Sequence, residues 1–229
     1  MKPEELVGRY PSIFHMAEET NWPSIQQRGL LSTTALLDLY GYHGPARDAI
    51  EGHHRPDSVT ITAEGLPPAV IRDQKVLHPR DLSPLLEDGL TTEQWYRLIN
   101  KKVFFWAERY RLDWLLGALA YRGYPHIVIV ADTRELVRRH GDRTTLTSIN
   151  SGSARPQKSG APAPRRGVHT FQSIPAFNPM RSIVEVAVED RLDDLLSVAK
   201  SAELWQRNGS STEAKLLGTL WTRPERRTT

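Results

Sequence analysis

The chain is 229 residues long, 39% apolar and 25% charged, with a formal net charge of +3. These values are ordinary for a soluble globular protein; no apolar run nears the ~18 residues that cross a bilayer, and the acidic opening Met1-Lys2-Pro3-Glu4-Glu5 lacks a signal peptide's apolar core. Cysteine is absent, which excludes disulfides, thiolate metal sites and cysteine nucleophiles and favours a cytoplasmic protein with no membrane partner.

In chain order, Phe14-His15-Met16-Ala17 reads as a short strand. It runs into a helix capped at Asn21 and closed by Gly29-Leu30-Leu31-Ser32. Residues 57–63 alternate like a half-buried strand, and a Leu66-Pro67-Pro68 turn precedes Val70-Ile71-Arg72. Thr91 caps a helix through Ile99, and 102–107 is a β-branched and aromatic strand. Residues 110–121 carry Leu112, Leu115, Leu116 and Leu119 on one face, a helix ended by Gly123. Strand 126–131, a helix over 134–140 capped by Asp132, and strand 144–149 follow. The Gly-, Pro- and Ser-rich stretch 150–168 is expected to be a flexible basic loop. Strand 182–189 then leads into a helix carrying Leu192, Leu195, Leu196 and Val198, and 223–229 reads as a disordered tail. Strands and helices are mixed without regular alternation, so the expectation is one α+β domain over 1–222.

Glu185 sits among Ile183, Val184, Val186, Ala187 and Val188. A carboxylate in an apolar strand is expensive unless it is paired or faces a cleft. The plain alternative is an edge strand with one wet face. Arg72 is either a snorkelling surface group or a fork for a pyrophosphate, and His15 is either a satisfied structural imidazole or a ligand group. The rings of Trp95, Tyr96, Phe104, Phe105 and Trp106 belong to the core by default, with one or two free to line a pocket. His53 and His54 are adjacent, a poor pair for a metal, and no metal site is expected. Neither GxGxxG, GxxxxGK[ST] nor GxSxG occurs. No acidic residue lies between Asp142 and Glu185, where Arg143, Arg155, Lys158, Arg165, Arg166 and Arg181 fall. Such a stretch is either a solvated loop or a phosphate-attracting one.

Four of these motifs together resemble the DarT-type ADP-ribosyltransferases. Asn21-Trp22-Pro23-Ser24-Ile25 with Gly29-Leu30-Leu31-Ser32 is similar to that family's N-terminal signature. Arg72 lies where the family has its arginine, Val103-Phe104-Phe105-Trp106 is similar to its aromatic strand, and Val184-Glu185-Val186-Ala187-Val188 to the strand of its catalytic glutamate. The resemblance implies an ADP-ribosyltransferase-like fold, a split mixed β-sheet core surrounded by helices. It implies NAD as substrate, held by His15, Asn21, Arg72, Phe105 and Trp106, with Glu185 and Arg72 catalytic. The segment before the glutamate selects the acceptor in such enzymes; here Arg165, Arg166, His169 and Phe171 would meet a DNA or RNA base. A toxin or phage-defence role, with an antitoxin partner, goes with that family. The rival readings are transfer to protein, NAD hydrolysis, or a non-catalytic nucleic-acid-binding module.

Overall fold

The structure, a computed structural model, describes residues 1–156, 160–208 and 213–224. After α1 (Pro3–Arg9), strand β1 (Ser12–Glu18) passes through one 3-10 turn into α2 (Trp22–Arg28) and β2 (Leu30–Leu31). Helices α3 (Thr33–Leu39) and α4 (Gly44–Glu51) come next, then a hairpin of β3 (Val59–Ile61) and β4 (Ala69–Ile71). The middle of the chain forms α5 (Pro79–Leu82), α6 (Thr92–Asn100), β5 (Lys102–Trp106), α7 (Arg109–Leu116), β6 (His126–Asp132), α8 (Thr133–His140) and β7 (Thr144–Thr147). Last come β8 (Gln172–Ser173), β9 (Glu185–Glu189), β10 (Arg191–Leu192), α9 (Leu195–Val198), β11 (Ala199–Gln206) and β12 (Lys215–Thr222).

The caps expected at Thr91 and Asp132 form. Thr91 Oγ1 accepts the Gln94 N–H while Gln94 Oε1 accepts the Thr91 N–H, a reciprocal box that starts α6. Asp132 Oδ1 accepts from the N–H groups of Arg134 and Glu135 and starts α8.

The fold is α+β, built on an eight-stranded sheet in the order β12-β11-β6-β1-β5-β9-β7-β8. Every pairing in that sheet is antiparallel, so the expected mixed sheet is replaced by a wholly antiparallel one. Its two halves barely meet. β1 is in register with β6 from Ser12–Asp132 to Glu18–His126, and β5 with β9 from Lys102–Glu189 to Trp106–Glu185. Between β1 and β5 the one registered pair is Phe14–Trp106. Beyond it the strands separate, and the His15 ring fills the gap: its Nδ1–H donates to the Phe104 carbonyl at 2.7 Å.

One sheet face packs Ile13, Ile129, Val186 and Val188 under α1, α8 and α9. On the other, α7 seats Leu112 and Leu116 on Met16 and Val128, and α6 places Trp95 and Tyr96 beside Phe104. The β3–β4 hairpin makes its own cluster with α3 and α4.

Several expected elements change. The strand over 57–63 shortens to Val59–Ile61, and the helix over 110–121 stops at Leu116 and continues as turns. The helix expected after Asp190 is a β10 strand pairing with β2, then the single turn α9. Strands β11 and β12 follow where none was expected. Arg223, expected to open a disordered tail, is held: its guanidinium bonds the carbonyls of Ala199 and Val198 at 2.7 Å each. Residues 225–229 lie outside the described residues. So do 157–159 of the basic loop, whose two ends are pinned rather than loose. Ala154 N–H donates to Val76, and Arg166 bonds Leu85 and Glu87 through its backbone.

Candidate active site at the sheet split

A cavity of about 780 Å³ opens at the split, and His15, Asn21, Arg72, Phe105, Trp106 and Glu185 all line it. Strand alternation explains why the split is needed. Trp106 and Glu185 are directly opposite in register and share one sheet face, as does Phe14. His15 and Phe105 therefore belong to the other face, where their rings lie 5.7 Å apart. A closed sheet would keep the two sets on opposite sides; parting β1 from β5 lets both reach one space.

Glu185 is 5% exposed and lies on an interior strand, between β5 and β7. The wet edge-strand alternative is thereby removed. Its Oε2 accepts the Ser151 N–H at 3.1 Å. Burial pushes its pKa up to about 7, against the pull of Ser151 and the positive charges of Arg166 and Arg111. His15 moves the other way. Burial lowers it to about 4, the bond to the Phe104 carbonyl opposes that, and the charge of Arg72 adds to it. The imidazole is therefore neutral at pH 7 with its proton on Nδ1. That leaves Nε2, which has no partner among the described residues, as an acceptor.

Arg72 follows β4 directly. Its Nη1 donates to the Met16 carbonyl at 3.2 Å, its Nε is 3.9 Å from Glu18, and its guanidinium covers the Tyr121 ring at 4.5 Å. The Nε is buried without a hydrogen-bond partner. Arg55, itself 5% exposed, grips the Arg72 carbonyl from behind at 3.1 Å.

Asn21 does not cap α2 with its side chain, contrary to the sequence expectation. Its amide instead bonds both polar groups of Val70: Nδ2 donates to the carbonyl at 2.9 Å and Oδ1 accepts the N–H at 2.8 Å. It acts as a surrogate strand that ties β4, and so Arg72, to β1.

The expected acceptor residues lie elsewhere. Arg166 is fully buried rather than free for a nucleic acid, because the loop folds back and sets its guanidinium over the Trp95 ring at 5.8 Å. Phe171 stacks on Trp95 at 5.9 Å, with the Lys102 ammonium over its ring at 4.8 Å, so its faces are already taken. His169 is exposed but stands 3.3 Å from both Glu87 and Asp88, in a negative field. Arg165 is exposed, with Glu87 at 4.0 Å. None of these four lines the cavity.

What does line it beside Glu185 is an earlier part of the same loop, Asn150, Ser151, Gly152 and Arg155, together with Lys75. Arg155 is exposed there and makes no ion pair among the described residues. Sequence reasoning singled out neither Ser151 nor Tyr121, whose hydroxyl bonds Asp73 at 3.0 Å. Both belong to turns without pattern, and no sequence signal marks them.

Among curated proteins none matches the chain. A family of unknown function, DUF7002, matches residues 11–199, a span that holds every cavity residue named above, and the chain belongs to that family.

Proposed function

We propose that the protein is an NAD-dependent ADP-ribosyltransferase that modifies a nucleic acid base. One observation carries the reading: a buried carboxylate, a neutral imidazole, an arginine and two aromatic rings converge on one cavity. In such transfer the bond between nicotinamide and the ribose C1′ breaks, nicotinamide leaves with the electron pair, and positive charge develops on the sugar. Glu185 in its ionised form is the group to stabilise that charge, inside a site that shields it from water. The same carboxylate takes the proton released when an acceptor nitrogen or oxygen bonds C1′. Arg72 supplies the positive charge of its guanidinium to the diphosphate. His15 Nε2 accepts from a ribose hydroxyl, and Phe105 and Trp106 offer apolar surface to the nicotinamide ring.

The open sheet supports an ADP-ribosyltransferase-like fold, for which a split sheet core is expected. The acceptor would come across Lys75 and Arg155, two exposed cations of the cavity lining. Incubating pure protein with labelled NAD and single- or double-stranded oligonucleotides, with cell protein, and alone tests the proposal. Label in an oligonucleotide, reduced by Arg155→Glu with no loss of NAD affinity, is the expected result. Label in protein, or nicotinamide release with no acceptor, moves the reaction to another substrate. Absence of any NAD turnover overturns the reading.

A further inference from the structure

Arg166 is among the most deeply buried side chains of the molecule, yet among the described residues no carboxylate pairs with it directly. Its three hydrogen bonds go to carbonyls: Nε and Nη2 to Pro164, at 3.3 and 3.1 Å, and Nη1 to Ser151 at 3.2 Å. A buried guanidinium without a counter-ion is costly and calls for a reason. The reason lies one bond further on. The residue whose carbonyl Arg166 holds is the one whose N–H donates to Glu185 Oε2 at 3.1 Å. Arg166 is in turn fixed from the far side, its N–H on the Leu85 carbonyl and its own carbonyl on the Glu87 N–H, both at 2.9 Å.

We infer that Arg166 is a positioning residue for Glu185: by holding the Ser151 carbonyl it fixes the backbone of the residue whose N–H bonds the carboxylate, and it sets a positive charge behind that carboxylate. The loop anchored by Arg166 is thus part of the cavity wall rather than an acceptor arm. The charges acting on Glu185 are Arg166 from this loop and Arg111 from α7. The other ionisable groups of the wall are His15 on β1, Arg72 after β4, Lys102 on β5, and Arg55, Asp73, Lys75, Tyr121 and Arg155. Only the catalytic consequence rests on the function proposed above; the positioning does not.

The test is the carboxyl titration of Glu185, followed by carbon-13 NMR on glutamate-labelled protein and assigned with Glu185→Gln. Wild type should titrate at about 7. Arg166→Gln, neutral but still able to donate to Ser151, should move the midpoint to about 8 or higher, while Arg166→Lys, which keeps the charge and loses the fork, moves it less. If the protein turns over NAD, the rising limb of rate against pH shifts with it. At neutral pH kcat then falls about fivefold, KM for NAD is unchanged and the rate recovers in alkali. A folded Arg166→Gln whose Glu185 still titrates at the wild-type midpoint overturns the inference. Should that variant not fold, Arg166→Lys decides, and a midpoint equal to wild type overturns it. A shifted midpoint in a protein that never cleaves NAD would sink the proposed reaction and leave the role of Arg166 standing.

Discussion

At the scale of single residues, the site depends on a carboxyl group that burial keeps half protonated at neutrality. Glu185 has a pKa of about 7 and only its ionised form can stabilise a sugar cation. On the proposed function, the rate of NAD cleavage should climb with pH through about 7 and level off above it. Glu185→Gln keeps the shape and the acceptor for Ser151 N–H but removes the charge, and should lower cleavage by at least ~100-fold with the fold intact. A nicotinamide-release assay across pH, with far-ultraviolet circular dichroism on the variant, checks both. Glu185 stood out in the sequence as a charge among Val and Ile, but the pattern alone left a wet edge strand open, and its burial on an interior strand came from the fold. Arg166 was misread for the converse reason. An arginine in a Gly- and Pro-rich stretch looks solvated, and nothing local announces that tertiary folding closes Trp95 and Ser151 around it.

At the scale of elements, what matters is how short pieces outside the main sheet are fixed to it. β4 belongs to a two-stranded hairpin, and the Asn21 amide is one of its direct ties to the segment after β1. Removing that amide leaves the Val70 N–H and carbonyl without these partners. Asn21→Ala should cost about 1–3 kcal/mol and raise hydrogen exchange at Val70 well above that at β1 amides, and on the proposed function it weakens NAD binding through Arg72. Protection at Val70 equal to wild type would show that the hairpin is held by other means. A sharper lesion is available at the end of α2. Gly29 has φ +79°, and a Cβ added there would clash with the Leu192 carbonyl oxygen. Gly29→Ala must push β2 off β10, and a drop of several kcal/mol in urea melts is the expected result. The elements that sequence revealed share a clean signal. β5, β6 and β9 are apolar runs, and α6 and α8 carry side-chain caps. Those it missed lack one. β11 is bulged against both neighbours, which breaks the two-residue alternation, and β12 is an edge strand with Leu216, Leu217 and Leu220 exposed. The α7 helix was overextended because Ala118, Leu119 and Ala120 continue its apolar pattern but line the cavity as turns.

At the scale of the whole molecule, the split in the sheet forces two groups with opposed titration behaviour into one stable fold. His15 drops from 6.5 to about 4 on folding, so its unfolded form binds the extra proton. Its contribution to stability is complete above pH 6.5 and is lost as pH falls toward 4. Glu185 rises from 4.5 to about 7, so its folded form binds the extra proton. Its contribution is complete below pH 4.5 and is lost as pH rises toward 7. Over the window they share, the two slopes cancel, each representing on the order of 3 kcal/mol across its full range. Wild type should therefore show little net dependence from this pair between pH 4.5 and 6.5. Glu185→Gln removes the falling limb alone. Measured against wild type by chemical denaturation at stepped pH, the variant should gain stability steadily from pH 4.5 to 7, by about 3 kcal/mol in all. His15→Asn should give the mirror image, improving relative to wild type as pH falls from 6.5 to 4. A constant offset between Glu185→Gln and wild type over this range would mean that the carboxyl titrates alike folded and unfolded. The cavity would then lack the desolvated charge on which its chemistry depends. The steep outcome would instead identify the site as a place where the fold accepts instability at working pH, as expected of a group kept for reaction rather than for packing.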